Sequence, residues 1–314
     1  MKDYDILVVG ELNVDLILSD IEVLPQLGKE ILADQMHLVL GSSSAIFASN
    51  IASLGARTAF VGKVGQDDFG RFVMGCLEEK RIETRYIIQD GHLTTGASII
   101  LSYPKERAIV TYKGAMDELI RDDVSREAMS RARHLHLSSY YLQKGIQASC
   151  PALFKAAKDL GLTTSLDTNW DPEENWGTEI FQLLPHVDVF LPNKNEALCI
   201  SRQDSVDSAL THLSQYSPTV VIKLGEQGAL ANQDGVIHRS TAHDVTPVDT
   251  VGAGDSFDAG FLLQYLEGSD IGRCLKYGNL CGALSVTKPG GTAAFVNPEQ
   301  IERDLKRLSS HQTN

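Results

Sequence analysis

The chain has 314 residues, and 28 Lys and Arg against 41 Asp and Glu give a formal net charge of −13. Nucleic-acid backbones need clustered cations, and no run of five or six Lys and Arg occurs, so that charge argues against a nucleic-acid partner. With 43% hydrophobic and 22% charged residues the composition is that of a globular protein rather than a disordered chain.

The acidic start, Met1 to Asp5, leads at once into a strand and does not read as a signal peptide. No apolar run approaches the roughly 20 residues that span a bilayer, so a soluble, cytoplasmic protein with no membrane partner is expected. Short Val- and Ile-rich runs predict strands at 5–9, 58–61, 134–137, 163–167, 187–191 and 220–224. Segments of helical period predict helices at 44–54, 68–80, 151–160, 196–200, 205–215, 254–266, 271–287 and 298–308. This alternation is the pattern of βαβ units around a mainly parallel sheet, an α/β fold. Residues 16–40 and 94–115 break the rhythm with β-rich runs and turn signals at Leu27-Gly28 and Tyr103-Pro104-Lys105-Glu106, which predicts a small antiparallel sheet added to the main layer. No repeat or linker marks a second domain, so residues 1–314 read as one. The cysteines, Cys76, Cys150, Cys199, Cys274 and Cys281, are odd in number, lack a Cys-x-x-Cys pair and lie in apolar patterns. Buried free thiols are expected, not disulfides or zinc.

Polar residues gather after the strands: Asn13 and Asp15, Gly65 and Asp67, Ser138 and Ser139, Asn169, Asn193 and Glu196, and Gly225. The carboxyl ends of a parallel sheet share one rim, where ligands bind. The sharpest local signal is Asp249-Thr250-Val251-Gly252-Ala253-Gly254-Asp255-Ser256-Phe257, running into an apolar helix. Glycines around an alanine leave backbone amides bare at a helix start, where unpaired N–H groups and the positive dipole end favour an anion. A carboxylate there repels an anion unless it has a task, such as taking a proton from an attacking hydroxyl; equally, Asp255 could cap the helix. On these residues alone both readings stand.

The 249–257 segment resembles the C-terminal signature of the PfkB, or ribokinase-like, carbohydrate kinases. Four further ordered segments are similar to motifs of that family: Gly10-Glu11-Leu12-Asn13-Val14-Asp15, Gly62 through Gly70, Pro192-Asn193-Lys194-Asn195-Glu196, and Lys223-Leu224-Gly225-Glu226-Gln227-Gly228. The resemblance implies a ribokinase-like three-layer α/β/α fold with a small β-sheet lid, from about 16–40 and 94–115. It implies ATP-dependent transfer of a phosphoryl group to a hydroxyl, a primary one in this reading, of a small sugar. Asp255 would be the general base and Gly252, Ala253 and Gly254 the anion hole. Asn13, Asp15, Gly41, Ser42 and Ser43 would hold the sugar. Asn169, Asn193, Lys223, Gly225, Gly228 and Asn279 would face ATP. Asn193 and Glu196 would organise Mg²⁺ through water, Asp249 and the Val251 carbonyl would bound a site for a monovalent cation such as K⁺, and two copies would pair through the lid.

The chain departs from the family pattern at Gly41-Ser42-Ser43-Ser44-Ala45-Ile46, where a second glycine and an asparagine are usual. That puts the identity of the sugar in question. Asp68-Phe69-Gly70 reads as a helix start, and neither a P-loop nor a Gly-x-Gly-x-x-Gly follows a strand. His134 and His136 read as packed residues rather than metal ligands, and Trp170 and Trp176 as local packing. The rival readings are a nucleoside kinase on the same scaffold, for which Ile46 offers an apolar wall, and a sugar-binding regulator without catalysis. A phosphosugar kinase is less favoured, because only Lys29, Lys105, Arg107 and Lys113 of the lid could meet a second phosphate.

Overall fold

A computed structural model describes residues 2–103 and 106–310. Pro104 and Lys105 of the anticipated turn lie outside the described residues. The strands are β1 (Tyr4–Val9), β2 (Asn13–Ser19), β3 (Gln35–Leu40), β4 (Thr58–Gly65), β5 (Glu83–Asp90), β6 (Gly96–Ser102), β7 (Arg107–Tyr112), β8 (Ala132–Leu137), β9 (Thr163–Leu166), β10 (Val189–Phe190), β11 (Thr219–Lys223), β12 (Ala229–Gln233) and β13 (Val236–Ser240). The helices are α1 (Ser43–Ser53), α2 (Asp68–Glu79), α3 (Arg126–Ser130), α4 (Lys144–Gln147), α5 (Cys150–Asp159), α6 (Ile180–Leu183), α7 (Lys194–Ser201), α8 (Val206–Leu213), α9 (Ala253–Leu266), α10 (Ile271–Ser285) and α11 (Pro298–Ser310).

Nine strands form the main sheet in the order β13-β12-β11-β10-β9-β8-β1-β4-β5. All neighbours from β5 to β11 pair in parallel. Ile6, Leu7, Val8 and Val9 are fully buried, as a strand covered on both faces requires. Successive side chains point to opposite faces, so β1 feeds two cores. Leu7 and Val9 join Leu135, Leu137 and Phe154 of α5 on one side. Ile6 and Val8 join Phe47 of α1, Phe60 and Phe261 of α9 on the other. Helices on both faces make three layers.

Sequence reasoning misses three strands of this sheet. β5 extends one edge beyond β4, and its alternation of exposed and half-buried residues is weaker than that of the buried strands. β12 and β13 form an antiparallel hairpin on β11, closed at Asp234-Gly235, both with φ > 0. The fifth anticipated strand shrinks to Val189–Phe190.

The second sheet has the order β3-β2-β6-β7. It is not purely antiparallel as anticipated: β2 and β6 run parallel, because the chain passes through β3, α1, β4, α2 and β5 before returning to β2. Asn13 and Asp15 therefore stand inside β2 rather than in a loop after β1. All five cysteines are free; Cys150, Cys274 and Cys281 are buried, while Cys76 and Cys199 are half-buried. No described helix is long and apolar enough to cross a membrane.

Candidate active site

The carboxyl ends of the parallel strands, the start of α9 and the inner face of the small sheet enclose two cavities. The larger, about 800 Å³, is lined by Lys223, Gly225, Gly228, Ala253, Gly254, Phe257 and Asn279. The smaller, about 510 Å³, is lined by Asn13, Asp15, Ser42, Ser43, Ile46, Asn169, Asn193, Glu196 and Asp255. Lys223, Gly225, Thr250, Ala253 and Gly254 border both. The two spaces thus meet at the glycine-rich helix start.

Gly252 precedes α9 with φ 73°, and a Cβ there would come within 2.6 Å of Gly291 Cα, so only glycine fits. Ala253 and Gly254 open the first turn, whose amides have no intrahelical carbonyl to bond. Asp255 follows, buried, at the edge of the smaller cavity. No side chain caps this helix, which removes the capping alternative for Asp255. Burial and then the nearby Asp167 carboxylate push Asp255 up to about 7, against the pull of Lys223 and a hydrogen bond from Ser43.

Beneath the cradle, Lys223 is almost wholly enclosed. Its Nζ lies 2.9 Å from Asp258 Oδ2 and 3.3 Å from Asp167 Oδ1. Burial opposes the ammonium charge, but Asp167, Asp258 and Glu196 outweigh it and hold the lysine protonated. Asp258, one turn beyond Asp255 on α9, is a site residue that sequence reasoning misses. Its only signal was a second carboxylate three positions on, inside an otherwise apolar helix.

Asn193 and Glu196 begin α7 as a reciprocal cap. Asn193 Oδ1 accepts from Glu196 N at 3.0 Å, and Glu196 Oε2 accepts from Asn193 N at 2.9 Å. Burial, then Asp167, raises Glu196 to about 7. The caps occupy these oxygens, so the pair suits an outer-sphere role toward a hydrated Mg²⁺ rather than direct ligation. Asp167, Glu196, Asp255 and Asp258 surround a single lysine, an excess of negative charge that favours a divalent cation. Asp249 lies beside the smaller cavity; its carboxylate accepts from Val251 N at 2.9 Å and Gly290 N at 2.8 Å, while Val251 lines the cavity.

At the far end of the smaller cavity, Asn13 Nδ2 donates to Asp15 Oδ1 at 3.1 Å and to Ser98 Oγ at 3.2 Å. Asn13 Oδ1 is buried without a partner among the described residues. Burial raises Asp15 to about 6, partly offset by Asn13, Ser98 and Arg107. Gly41 packs behind this pair, since a Cβ there would reach within 2.3 Å of Asp15 Oδ1. Ser98, Thr111 and Arg107 of the small sheet also line the cavity, and sequence reasoning did not select Ser98 or Thr111.

The departure at 41–46 has a structural partner. Glu11 is fully enclosed, and Ser42, Ser44 and Ser139 donate to its carboxylate. Burial still raises its pKa. Ser42 keeps φ 70°, a conformation that favours glycine, and its hydroxyl accepts from Ala45 N at 2.9 Å to cap α1. Ile46 is buried, lines the smaller cavity and packs on Gly252 and Gly291.

Other anticipated residues fall into two groups. Asn169, with φ 58°, donates to Ser139 Oγ and lines the smaller cavity rather than the larger. Asn279 donates to the Ser240 and Thr241 carbonyls beside the larger one. His134 and His136 are packed in a chain of hydrogen bonds through Thr163, Ser165 and Ser138, and burial pushes His134 down to about 3. Trp170 and Trp176 meet edge to face, 5.0 Å between centroids. Asp67 caps α2 and braces Thr95.

Residues 3–298 match the family model described as "pfkB family carbohydrate kinase". Ribokinase of Staphylococcus aureus is 27% identical, over 95% of this chain and 98% of its own. ATP-dependent 6-phosphofructokinase of Thermoanaerobacterium thermosaccharolyticum is also 27% identical, over 98% of this chain and 96% of its own. The structure of Arabidopsis thaliana ribokinase complexed with ribose and ATP superposes with a TM-score of 0.83 at 23% identity, over 96% of this chain and 99% of that one. That likeness is one of fold.

Proposed function

Since the chain belongs to the pfkB family of carbohydrate kinases, we propose that it transfers the γ-phosphoryl group of ATP to a hydroxyl, a primary one, of a small sugar or sugar derivative bound in the smaller cavity. The observation that carries this reading is the Asp255 carboxyl, raised to about 7, at the junction of two cavities and beside helix amides that have no intrahelical partner. A base must be ionised to accept a proton and basic enough to hold it, and a pKa near neutrality meets both needs. Asp255 takes the proton from the acceptor hydroxyl, whose oxygen bonds to the γ-phosphorus as the bond to the ADP oxygen breaks. The amides of Gly252, Ala253 and Gly254 face the charge on the transferred group. Lys223, shared by both cavities, adds a fixed positive charge beneath it.

Gly225, Gly228 and Asn279 line the space for the nucleotide. Mg²⁺, held through water near Asn193 and Glu196, would neutralise phosphate charge; Asp249 and the Val251 carbonyl are the pair for a monovalent cation. Asn13 Oδ1, with no protein partner among the described residues, and Asp15 are suited to accept sugar hydroxyls. The small sheet serves as a lid that excludes water during transfer. Its outer face exposes Met36, Leu38, Ile99, Val110 and Tyr112, an apolar surface that a second copy would cover. A monomer by sedimentation at micromolar concentration would count against that pairing.

ADP release measured over a panel of sugars and nucleosides tests the reading. Sugar-dependent release that Asp255→Asn abolishes supports it. Release driven best by nucleosides would favour a nucleoside kinase instead, for which Ile46 supplies the apolar wall, and none with any acceptor would leave a binding protein.

A further inference from the structure

The acceptor cavity is acidic, with Glu11, Asp15, Asp167, Glu196 and Asp255 in its wall. Among the described residues two cationic side chains line it, Lys223 and Arg107. Lys223 is consumed by Asp167 and Asp258. The Arg107 side chain makes no hydrogen bond or salt bridge with any described residue, and it exerts a through-space pull on Asp15, which lines the same cavity. The guanidinium is therefore free to meet a ligand.

Its place in the sheet sets what that ligand is. Asp15, Ser98 and Thr111 lie side by side across β2, β6 and β7. Arg107 is on the same face of β7 as Ile109 and Thr111, two pleats further along. An acceptor whose hydroxyls rest on Asp15 and Asn13 thus extends toward Arg107 at its other end. Of the remaining lid cations, Lys113 is bound to Asp117 at 3.0 Å, Lys29 does not line the cavity, and Lys105 lies outside the described residues. One guanidinium fork matches one carboxylate through two parallel hydrogen bonds. A phosphate dianion doubles its attraction to that one cation but also its repulsion from the more numerous carboxyl groups of the wall, so its net interaction is the less favourable.

Building on the kinase reading above, we propose that the acceptor is a sugar acid, a polyhydroxy monocarboxylate whose carboxylate is gripped by Arg107 while its hydroxyl end reaches Asp255. Arg107 is exposed on an edge strand, so substitutions there do not disturb a core.

The test is ADP release, read as kcat/KM, over neutral aldoses and ketoses, aldonic and ketoaldonic acids of matching length, and the phosphate monoesters of the same sugars. The best acid should lead the best neutral sugar and the best phosphate ester by a factor on the order of 10–100, the usual worth of a charge-assisted hydrogen bond. Arg107→Gln should erase that lead, lowering kcat/KM for the acid far more than for neutral sugars at an unaltered melting temperature, and Arg107→Lys should restore part of it. A neutral sugar or a phosphate ester at the head of the ranking, or a lead that survives Arg107→Gln, overturns the proposal and leaves the kinase reading standing. Absence of ADP release with every compound overturns both.

Discussion

The start of α9 and the small sheet face each other across the acceptor cavity and are built in opposite ways. At α9 the groups proposed for phosphoryl transfer are contiguous, Gly252 to Asp255, held by local backbone geometry over a dense core that includes Phe257, Ala259 and Phe261. In the small sheet they come from separate strands: Asn13 and Ser98, bonded at 3.2 Å, are 85 positions apart in sequence. Much of that sheet is exposed, β7 along its whole length. Machinery that handles the same phosphoryl group in every turnover can be written into one stiff turn. Under the proposed reaction, selection of the acceptor is instead distributed over surface strands, where single side chains change without disturbing the core.

The sharpest blow to the first region is Asp255→Asn. Turnover should fall by roughly 10²–10⁴, the usual contribution of a positioned general base. In the wild type kcat/KM should rise with pH through about 7, because below that value the carboxyl carries a proton and cannot accept another. Stability should move the other way. The folded protein holds this proton more tightly than the unfolded chain, whose value is the ordinary 3.8, so the group's contribution is full below 3.8 and is lost as pH rises toward 7. Asp255→Asn should therefore melt higher than wild type at pH 8, with the advantage fading toward pH 4. Near-normal turnover, or a lower melting point at pH 8, would show that Asp255 is not a base whose pKa is raised by burial.

Asp15→Ala is the matching blow to the second region. Losing a charge-assisted hydrogen bond costs about 1.5–3 kcal/mol, so the sugar KM should rise by a factor on the order of 10–100 while the ATP KM stays within a few-fold. The wild-type sugar KM should itself rise as pH falls through about 6, where Asp15 gains a proton, and this dependence should vanish in the variant. Loss of ATP binding with sugar binding retained would mean the two cavities are assigned the wrong way round.

The same contrast explains what was legible from residues alone. The parallel strands, most of the helices and the 249–257 cradle are written in continuous apolar runs or contiguous glycines, and sequence reasoning locates them within a few residues. β5 and β13, at the two edges of the main sheet, escape it because half-buried edge strands carry weaker patterns than buried ones, and β12 because its short run, Ala229–Gln233, holds no β-branched residue. Asp258 and Glu11 escape for a different reason: a carboxylate in an apolar run is read as a solvated or capping residue until tertiary packing supplies Lys223 or three serine hydroxyls.

Ile46 belongs to both regions, since it lines the acceptor cavity and packs against Gly252 and Gly291. Ile46→Asn places an amide against those glycines, and an unsatisfied buried polar group costs about 1–3 kcal/mol. The melting temperature and the turnover of every acceptor should fall together, since the cradle itself loses its support. An intact melting temperature with a reordered sugar ranking would move Ile46 wholly to the acceptor side.

The smallest expected effect lies at the hinge between the regions, Ser42, where a hydroxyl stands in a backbone conformation suited to glycine. Holding φ at 70° costs a residue with a Cβ on the order of 1 kcal/mol, a strain that glycine does not feel. The hydroxyl offsets it by capping α1 and by donating to Glu11. Ser42→Gly removes the strain and the hydroxyl together, so its net effect should be within about 1 kcal/mol of zero. Ser42→Ala keeps the strain, leaves the α1 amide uncapped and takes a donor from a buried carboxylate. Alanine, ordinarily the milder replacement inside or beside a helix, should here be less stable than glycine by roughly 1–2 kcal/mol in urea unfolding. If alanine equals or exceeds glycine, the backbone at this position is not strained, and the serine hydroxyl serves the acceptor rather than the turn that carries it.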